Sequence, residues 1–333
     1  MKYLVTGAAG FIGAHTAKKL SIDGHEVTAV DSLSDYYSRD LKILRVSALL
    51  DPIGIELTHL SLENHSEVNE LLDENQFDSI IHLAAQPGVR VPQNEYSKYI
   101  SSNLLAFSNI LCAARQRDIP NFLYASSSSV YGNSPKALFS ESETSIQPIS
   151  FYGGTKLANE ILANAGRKQS RTRSRGLRFF TVYGPWGRPD MAYFRILASL
   201  VDGYEFSMFG KGNVLRDFTY INDVTTSIMQ LDAQLSEEDL GFADVVNVGG
   251  GNPSTLLEMI DVLERLVGKQ ISAKIEIENS NDVLRTCADA GYLISLIGKS
   301  PSTKLEDGLR EVVEWAQSVD VQSKMRLWAE SVV

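Results

Sequence analysis

The feature of this sequence that most constrains its fold is a glycine-rich turn within the first 13 residues. Residues 2–6 (Lys-Tyr-Leu-Val-Thr) form a short apolar run typical of a strand, and residues 10–20 have the apolar spacing of a helix. Between them, Gly7, Gly10 and Gly13 stand three residues apart. The first glycine permits a tight turn, the second lets a backbone approach a diphosphate, and the third lets the helix pack close to the sheet. Because the N-terminus of such a helix supplies amide donors, the segment predicts a dinucleotide-binding unit.

An acidic residue follows at the position where this unit binds a ribose. The second predicted strand, residues 26–30, ends on Asp31, 18 residues after Gly13. A carboxylate there can accept hydrogen bonds from both ribose hydroxyls, but it repels a 2′-phosphate. Residues 32–34 (Ser-Leu-Ser) offer no arginine to bind such a phosphate. We therefore expect NAD rather than NADP as the cofactor.

Strand-like and helix-like stretches alternate through the first half of the chain. Further strands are predicted at 79–83 and 121–125, with a helix at 101–117 between them. This alternation favours parallel strands joined by right-handed crossovers and covered by helices on both faces. We predict an α/β fold, a Rossmann-type doubly wound parallel sheet with a smaller C-terminal α/β lobe that binds the substrate.

The second half of the chain is expected to contribute to both parts. A predicted strand at 245–248 returns to the main sheet, whereas 255–267 has the pattern of an amphipathic helix in the lobe. We place the NAD-binding domain at 1–180, with returns to its sheet around 217–248, and the substrate-binding lobe at 181–333.

Composition and charge exclude several classes of protein. The chain has 31 Lys and Arg against 41 Asp and Glu, a net charge of −10, and therefore lacks the positive surface expected of a nucleic-acid-binding protein. The basic run 167–175 is interpreted as a solvated helix end and loop. Neither the two cysteines nor the histidines have metal-ligand spacing, and His82 is interpreted as structural or cofactor-adjacent. No apolar run has the length of a membrane span and none resembles a signal peptide, so we expect a cytoplasmic protein without a membrane partner.

The catalytic candidates are a tyrosine and a lysine four residues apart. Tyr152 and Lys156 fall on one face of a helix predicted to start near Tyr152. Such a pair also arises by chance in a chain with 13 tyrosines. However, 125–132 (Ala-Ser-Ser-Ser-Ser-Val-Tyr-Gly) is a hydroxyl-rich strand end, and carboxyl ends of parallel strands are where open α/β sheets bind ligands. A lysine ammonium and a nicotinamide cation both lower the pKa of a neighbouring phenol, which makes Tyr152 a base for an alcohol that gives its hydride to NAD.

Together these motifs resemble the extended short-chain dehydrogenase/reductases. Within that family the chain is most similar to the NAD-dependent nucleotide-sugar epimerases, and among these to the UDP-glucuronate 4-epimerases. The resemblance runs from residue 1 to about residue 315. Besides the motifs above, it is carried by segments 82–90, 122–132, 176–192 and 216–221, of which 176–192 is the most specific.

The resemblance implies roles for individual residues. Tyr152 is the catalytic base, Lys156 binds the nicotinamide ribose, and Ser127 hydrogen-bonds the sugar 4-hydroxyl. Cofactor contacts fall on Gly7, Gly10, Phe11, Ile12, Gly13, Asp31, Leu83, Ala84 and Ala85. Arg216 binds the UDP diphosphate. The residues around the sugar carboxylate are Arg90, Ser128, Ser129, Thr181 and Arg188. A homodimer formed through helices of the large domain is also implied.

The implied reaction is NAD-dependent 4-epimerisation of a UDP-hexuronic acid, UDP-glucuronate to UDP-galacturonate, by transient oxidation at C4. Two alternatives stay open: 4-epimerisation of UDP-glucose or UDP-N-acetylglucosamine, and decarboxylation of UDP-glucuronate, which shares the first step. A non-catalytic, NAD-sensing binding protein would have a damaged Tyr/Lys/Ser set, and all three residues are present. A 4,6-dehydratase would need an acid pair where 127–129 supplies only serines.

Two positions depart from the family pattern. Ser61 stands where relatives usually carry an aspartate that holds the adenine amine. Ser280-Asn281 replaces the usual Pro-Gly before Asp282-Val283, near the diphosphate. We expect both contacts to differ from those of the relatives.

Overall fold

A computed structural model of the protein describes residues 1–89, 92–276, 283 and 285–331. Its strands are β1 Lys2–Thr6, β2 Glu26–Asp31, β3 Leu57–His59, β4 Ser79–His82, β5 Asn121–Ser127, β6 Arg173–Phe179, β7 Thr181–Tyr183, β8 Phe206–Phe209, β9 Leu215–Arg216, β10 Phe218–Tyr220, β11 Ala243–Val248, β12 Ser254–Thr255 and β13 Ala273–Glu276. Its helices are α1 Phe11–Ile22, α2 Arg39–Leu49, α3 His65–Asp73, α4 Tyr96–Tyr99, α5 Ala106–Gln116, α6 Phe151–Asn164, α7 Ala192–Asp202, α8 Ile221–Leu235, α9 Leu256–Val267, α10 Gly291–Ile297, α11 Leu305–Ala316, α12 Val319–Gln322 and α13 Met325–Glu330. A π-helical segment, Ile100–Leu105, joins α4 to α5.

The main sheet has seven parallel strands in the order β11-β6-β5-β4-β1-β2-β3. The chain runs outward from β1 through β2 to β3 and then returns to β4 on the other side of β1. This reversal confirms the predicted doubly wound fold and creates a switch point at the carboxyl ends of β1 and β4. There Thr6 pairs with Val30 on one side and with His82 on the other.

Both faces of the sheet are buried because successive residues of each central strand point to opposite sides. Val5, Ile81 and Leu123 belong to an apolar core shared with α1 and α8. The residues before them in each strand, Leu4, Ile80 and Phe122, belong to a second core shared with α3 and α5. Continuous apolar strands of this kind are typical of parallel sheets, which helices cover on both faces.

The C-terminal elements form smaller pairs beside the main sheet. β8 pairs with β13 and β7 with β10 in parallel, and β9 pairs with β12 antiparallel. Helices α7, α9 and α11 contribute to the same apolar core as β1 and α1, so the core continues from the sheet into this region. The division at residue 180 stays a prediction.

The structure corrects the interpretation of the basic run 167–175. Its last residues enter β6, and Arg175 is fully buried rather than solvated. Nε of Arg175 lies 2.7 Å from Oδ1 of Asp244 on the neighbouring strand β11, so the charge is paired. Spacing alone did not indicate this, because the partner lies 69 residues away along the chain.

Among the described residues, no helix is both long enough and apolar enough to cross a membrane.

Candidate active site

A cavity of about 1000 Å³ lies at the carboxyl edge of the main sheet, between the sheet and the C-terminal elements. It brings together every predicted site residue that the structure describes. These lining residues are Gly7, Gly10, Phe11, Ile12, Gly13, Asp31, Leu83, Ala84, Ala85, Ser127, Ser128, Ser129, Tyr152, Lys156, Thr181, Arg188 and Arg216. The predicted substrate residue Arg90 and the departure at Ser280-Asn281 lie outside the described residues.

The glycine-rich turn occupies one end of the cavity. Gly7 has a φ of 71°, and a Cβ atom there would lie 2.7 Å from the backbone nitrogen of Ala84 on the next strand connection. A Cβ atom on Gly13 would lie 2.0 Å from the carbonyl oxygen of Gly7. Only glycine fits these two positions, and the resulting turn brings the N-terminus of α1, capped by Gly10, to the cavity.

Asp31 is fixed at the end of β2 by two backbone amides. Its Oδ2 accepts a hydrogen bond from the nitrogen of Ala9 at 3.0 Å, and its Oδ1 accepts one from Leu33 at 2.7 Å. The carboxylate therefore holds the glycine-rich turn in place, and each oxygen keeps a further lone pair for a ligand hydroxyl.

Lys42 is a cation at the same end of the cavity that the sequence did not indicate. Its Nζ donates hydrogen bonds to the carbonyl oxygen of Ser34 at 2.6 Å and to the Ser34 hydroxyl at 3.0 Å. Burial lowers the pKa of Lys42 to about 8. Lys42 lies in α2, eight residues after Ser34. No short sequence motif indicates that its side chain comes back to contact Ser34.

His82 is a core residue rather than an acid or base. Its Nδ1 lies 2.8 Å from Oγ1 of Thr6, and its ring is buried among Phe107 and Phe122. Burial lowers the pKa of His82 to about 3, so the ring is neutral at physiological pH. This agrees with the structural interpretation of the residue.

Tyr152 and Lys156 lie on the cavity side of α6, one turn apart. The helix begins where the Ser150 hydroxyl accepts a hydrogen bond from the nitrogen of Gly153 at 3.1 Å. Nζ of Lys156 lies 5.8 Å from the centre of the Tyr152 ring and donates to the carbonyl oxygen of Ala125 at 3.0 Å. Burial lowers the pKa of Lys156 to about 8.

The surroundings of Tyr152 differ from the expectation in one respect. Burial raises the pKa of Tyr152 above its ordinary value, while the positive charge of Arg188 and polar contact with Ser127 lower it. We expected Lys156 to lower the pKa of Tyr152. The protein groups alone leave that pKa above its ordinary value. The cation that acts on the phenol most strongly is Arg188, which comes from a loop 36 residues further along the chain.

Arg188 forms an ion pair within its own loop. Its Nε donates to Oδ1 of Asp190 at 3.0 Å, and its Nη2 donates to Oδ2 of the same carboxylate. The hydroxyl of Tyr36 donates to that Oδ2 at 3.3 Å. All three side chains line the cavity. Neither Tyr36 nor Asp190 was among the predicted site residues.

Arg45 joins the cofactor end of the cavity to the loop that carries Arg188. This guanidinium is fully buried and donates to the carbonyl oxygen of Ala9 in the glycine-rich turn at 2.6 Å. It also donates to the carbonyl oxygens of Trp186 at 2.8 Å and Gly187 at 3.3 Å. Trp186 has a φ of 62°, which non-glycine residues rarely adopt, and Arg45 holds it there.

Asn103 is a further buried residue that the sequence did not indicate. It lies in the π-helical segment, where its Oδ1 accepts from the nitrogen of Gln86 at 2.7 Å and its Nδ2 donates to Oγ1 of Thr155 at 3.1 Å. These bonds connect the loop after β4 to α6. Such π segments are rare and occur frequently at functional sites, but local sequence does not reveal them.

The opposite side of the cavity is formed by Thr181 and Arg216. The backbone nitrogen of Thr181 donates to the carbonyl oxygen of Asp217 at 3.0 Å. This bond joins the start of β7 to the residue between Arg216 and β10. The buried Asp217 carboxylate accepts hydrogen bonds from three backbone amides, at 2.9 to 3.1 Å, those of Gly250, Gly251 and Ala288. Asp217 thus fixes the backbone that carries Arg216.

Beneath the serine-bearing strand lies a buried ion pair. Nε and Nη2 of Arg178 donate to the two oxygens of Glu160 at 2.9 and 2.7 Å. The hydroxyl of Ser126 donates to the same carboxylate at 2.5 Å, and Nη1 of Arg178 donates to the hydroxyl of Tyr131 at 2.8 Å. Since Glu160 follows Lys156 by one turn of α6, this cluster sets the distance between the helix and the strand end.

A cavity at the switch point of a doubly wound sheet, with a Tyr/Lys pair one turn apart beside a serine-bearing strand end, defines the class of the extended short-chain dehydrogenase/reductases. The chain belongs to the NAD dependent epimerase/dehydratase family, whose model matches residues 3–249.

Individual relatives cover nearly the whole chain. Protein CapI of Staphylococcus aureus is 38% identical over 328 residues, which cover 95% of this chain and 98% of that protein. A probable UDP-glucuronate 4-epimerase of Rhizobium meliloti (strain 1021) is 35% identical over 329 residues, covering 95% and 96%. The solved structure of UDP-glucuronic acid 4-epimerase from Bacillus cereus, in complex with UDP-glucuronic acid and NAD, is similar with a TM-score of 0.87 and 31% identity, covering 96% of this chain and 100% of that chain.

Proposed function

We propose that this protein is an NAD-dependent UDP-glucuronate 4-epimerase, which interconverts UDP-glucuronate and UDP-galacturonate through transient oxidation at C4. The observation that carries the proposal is that one cavity holds a dinucleotide-type turn, the Tyr152/Lys156 pair, and two arginines, Arg188 and Arg216, for a substrate with two separate anionic groups. The names of the relatives from Rhizobium meliloti and Bacillus cereus support the same substrate.

The residues at the glycine-rich end fit NAD. The close backbone packing at Gly7 and Gly13 brings the N-terminus of α1 to the cavity, where its amides suit a diphosphate, and Asp31 has acceptor capacity for a ribose. NAD, when bound, supplies a nicotinamide ring that accepts a hydride and gives it back. We assign Phe11, Ile12 and the segment Leu83, Ala84 and Ala85 to the walls of this site, with Lys156 at the nicotinamide ribose.

The substrate is assigned to the other half of the cavity. Arginine suits phosphate and carboxylate because its planar guanidinium pairs with two oxygens at once. We assign the UDP diphosphate to Arg216. We assign the sugar carboxylate to Arg188 and to the hydroxyls of Ser128, Ser129 and Thr181, with Arg90 as a further predicted contact.

In the proposed reaction Tyr152 accepts the proton of the sugar 4-hydroxyl, which Ser127 positions by a hydrogen bond. The positive charge of Arg188 and the contact with Ser127 stabilise the phenolate that this requires, and the nicotinamide cation of bound NAD would stabilise it further. The 4-keto sugar then turns over while Arg216 holds the UDP group. Tyr152 returns the proton to the 4-oxygen, and C4 would regain its hydride from the cofactor on the opposite face. Binding energy from the remote UDP group keeps the intermediate in the cavity during this rotation.

The carboxylate creates a special demand, since a 4-keto uronic acid is a β-keto acid that loses CO₂ readily. An epimerase must hold the carboxylate so that its C–C bond does not align with the ketone π system. Short donors from Ser128, Ser129 and Thr181 together with Arg188 supply such a hold.

The proposal is tested by incubating the purified protein with UDP-glucuronate and measuring UDP-galacturonate and CO₂, with UDP-glucose in a parallel reaction. We expect the 4-epimer of UDP-glucuronate with little CO₂. Tyr152→Phe should lower kcat by about 10² to 10⁴-fold, the usual contribution of a general acid–base residue. A pentose product and stoichiometric CO₂ would make it a decarboxylase, and preferential turnover of UDP-glucose a neutral-sugar epimerase. Absence of turnover with both substrates would refute the proposal.

We further propose a homodimer formed through the helices of the large domain. The π-helical segment and α6 expose large apolar side chains on the surface: Ile100 and Leu105 are 46% and 48% exposed, and Ile161 and Leu162 are 62% and 40% exposed. Burying such a face against a second copy removes it from water. Light scattering should show a dimer that Ile161→Glu dissociates, whereas Ile22→Glu, at the equally exposed end of α1, should leave it intact. A monomeric wild-type protein would exclude this assembly.

We also propose a cellular compartment and a division into two functional parts for this protein. Cys112 and Cys287 are both free, which supports a reducing compartment such as the cytoplasm. The cofactor residues fall in 1–180, and the substrate residues Thr181, Arg188 and Arg216 fall in 181–333, which supports these as the two functional parts. Subcellular fractionation and limited proteolysis would test the two assignments.

A further inference from the structure

Arg188, the residue assigned to the sugar carboxylate, carries a counter-ion from its own loop. Asp190, two residues further on, binds the guanidinium through both carboxylate oxygens. The two side chains retain 24% and 15% of their surface exposure, respectively, and both face the cavity. The hydroxyl of Tyr36 holds Asp190 from the opposite side. The pair is therefore a fixed part of the cavity wall.

The geometry of this pair decides what an arriving carboxylate meets. Asp190 uses Nε and Nη2 of Arg188, and Nη1 makes no hydrogen bond to any residue in the described part of the chain. A sugar carboxylate can therefore reach Arg188 only at the remaining edge or by displacing Asp190. At the remaining edge it meets a guanidinium that Asp190 already pairs and a second carboxylate nearby, which repels it. Displacing Asp190 requires that this ion pair break first.

We propose that Asp190 is a specificity-determining residue, which competes with the sugar carboxylate for Arg188 and so limits how tightly the cavity holds a uronic acid. This inference rests on the proposed function. An unopposed Arg188 would bind the carboxylate strongly, but the sugar has to turn over between the two hydride transfers, and that requires the contact to break and re-form. A neutral sugar has no charge at this position and is indifferent to Asp190.

Asp190→Asn tests the competition because it removes the charge and nearly keeps the shape. Dissociation constants for UDP-glucuronate and UDP-glucose are measured by calorimetry in a Tyr152→Phe background, where no turnover interferes. We expect Asp190→Asn to lower the dissociation constant of UDP-glucuronate by roughly tenfold, because one like charge at close range is lost. The dissociation constant of UDP-glucose should change by less than about twofold. With Tyr152 present, kcat on UDP-glucuronate should fall, since the sugar is held too strongly.

Two further variants separate the charge from other effects. Asp190→Glu keeps the carboxylate and should restore a ratio of the two dissociation constants close to that of the parent. Asp239→Asn makes the same chemical change at an exposed turn between α8 and β11, and should leave both constants unchanged.

An unchanged ratio of the two dissociation constants in Asp190→Asn would overturn the inference. So would weaker binding of UDP-glucuronate alone, which would mean that Asp190 only orients Arg188, or a parallel loss of both ligands, which would mean that it only supports the loop. If the Tyr152→Phe parent binds no UDP-glucuronate, the proposed function fails and the inference fails with it.

Discussion

Removing the charge of Glu160 tests whether the buried ion pair beneath the serine-bearing strand holds α6 against the sheet. The side chains of Arg178 and Glu160 are 4% and 7% exposed, so neither charge is screened by water. Glu160→Gln keeps the shape but leaves the Arg178 guanidinium as an unpaired buried charge, and it places an amide NH₂ against a donor. Breaking a buried pair in this way costs about 3 to 5 kcal/mol.

The cost translates into a measurable change in melting temperature. The unfolding entropy of a chain of this length is roughly 0.7 kcal/mol/K, so the loss corresponds to about 4 to 7 °C. Thermal unfolding followed by circular dichroism measures the shift. The matched control is Glu306→Gln, which breaks exposed pairs with Arg265 and Arg310. The three side chains are 42%, 62% and 50% exposed, respectively, and the loss should cost less than about 1 kcal/mol.

A double-mutant cycle completes the test. In the Arg178→Leu background, Glu160→Gln should cost clearly less, because no unpaired cation remains. If Glu160→Gln destabilises the protein no more than Glu306→Gln does, the pair does not hold the helix and the assignment of Glu160 as the link between α6 and β5 is wrong.

Three further predictions concern single cavity residues. Asp31→Ala should weaken NAD binding by about tenfold or more in calorimetry, because it removes the ribose acceptor and frees the Ala9 amide; equal affinity would place the ribose elsewhere. Burial lowers the pKa of Lys156 from 10.5 to about 8, so the folded state binds fewer protons than the unfolded state between these pH values. The stability of the wild-type protein relative to Lys156→Met should therefore rise by on the order of 3 kcal/mol from pH 8 to pH 10.5 in denaturant titrations, and a flat difference would contradict the burial of the ammonium. Arg188→Ala should raise the ratio of decarboxylated pentose to 4-epimer; if neither activity nor that ratio changes, Arg188 does not lie at the carboxylate.

The sequence predicted the strands and helices whose bounds depend only on neighbouring residues. β1 has the predicted bounds, and α6 begins one residue before the predicted start at Tyr152. Residues 173–183 form two strands rather than one, β6 and β7, because the chain leaves the main sheet after Phe179 and β7 pairs with β10 instead. No local signal marks that change of partner.

The site shows the same division. The glycine-rich turn and the Tyr/Lys pair were predicted because each lies within a few residues of sequence. Lys42, Asn103 and the Tyr36–Asp190 contact were missed because their positions depend on packing between distant elements, as Tyr36 and Asp190 are 154 residues apart. Arg188 was predicted, but its ion pair with Asp190 was not, although only one residue separates them. The loop that carries the pair includes Trp186, which has a φ of 62° and whose carbonyl oxygen accepts a hydrogen bond from Arg45, 141 residues away along the chain.

The contacts of Arg45 have a consequence for how the two ligands affect each other. One rigid side chain bonds both the turn assigned to the cofactor and the loop assigned to the sugar, so a ligand that orders one of them lowers the entropy lost in ordering the other. The two binding equilibria should therefore be coupled, and the coupling free energy must be the same in both directions. In such a protein a bound sugar nucleotide strengthens the binding of the dinucleotide, which favours the ternary complex while the sugar is oxidised.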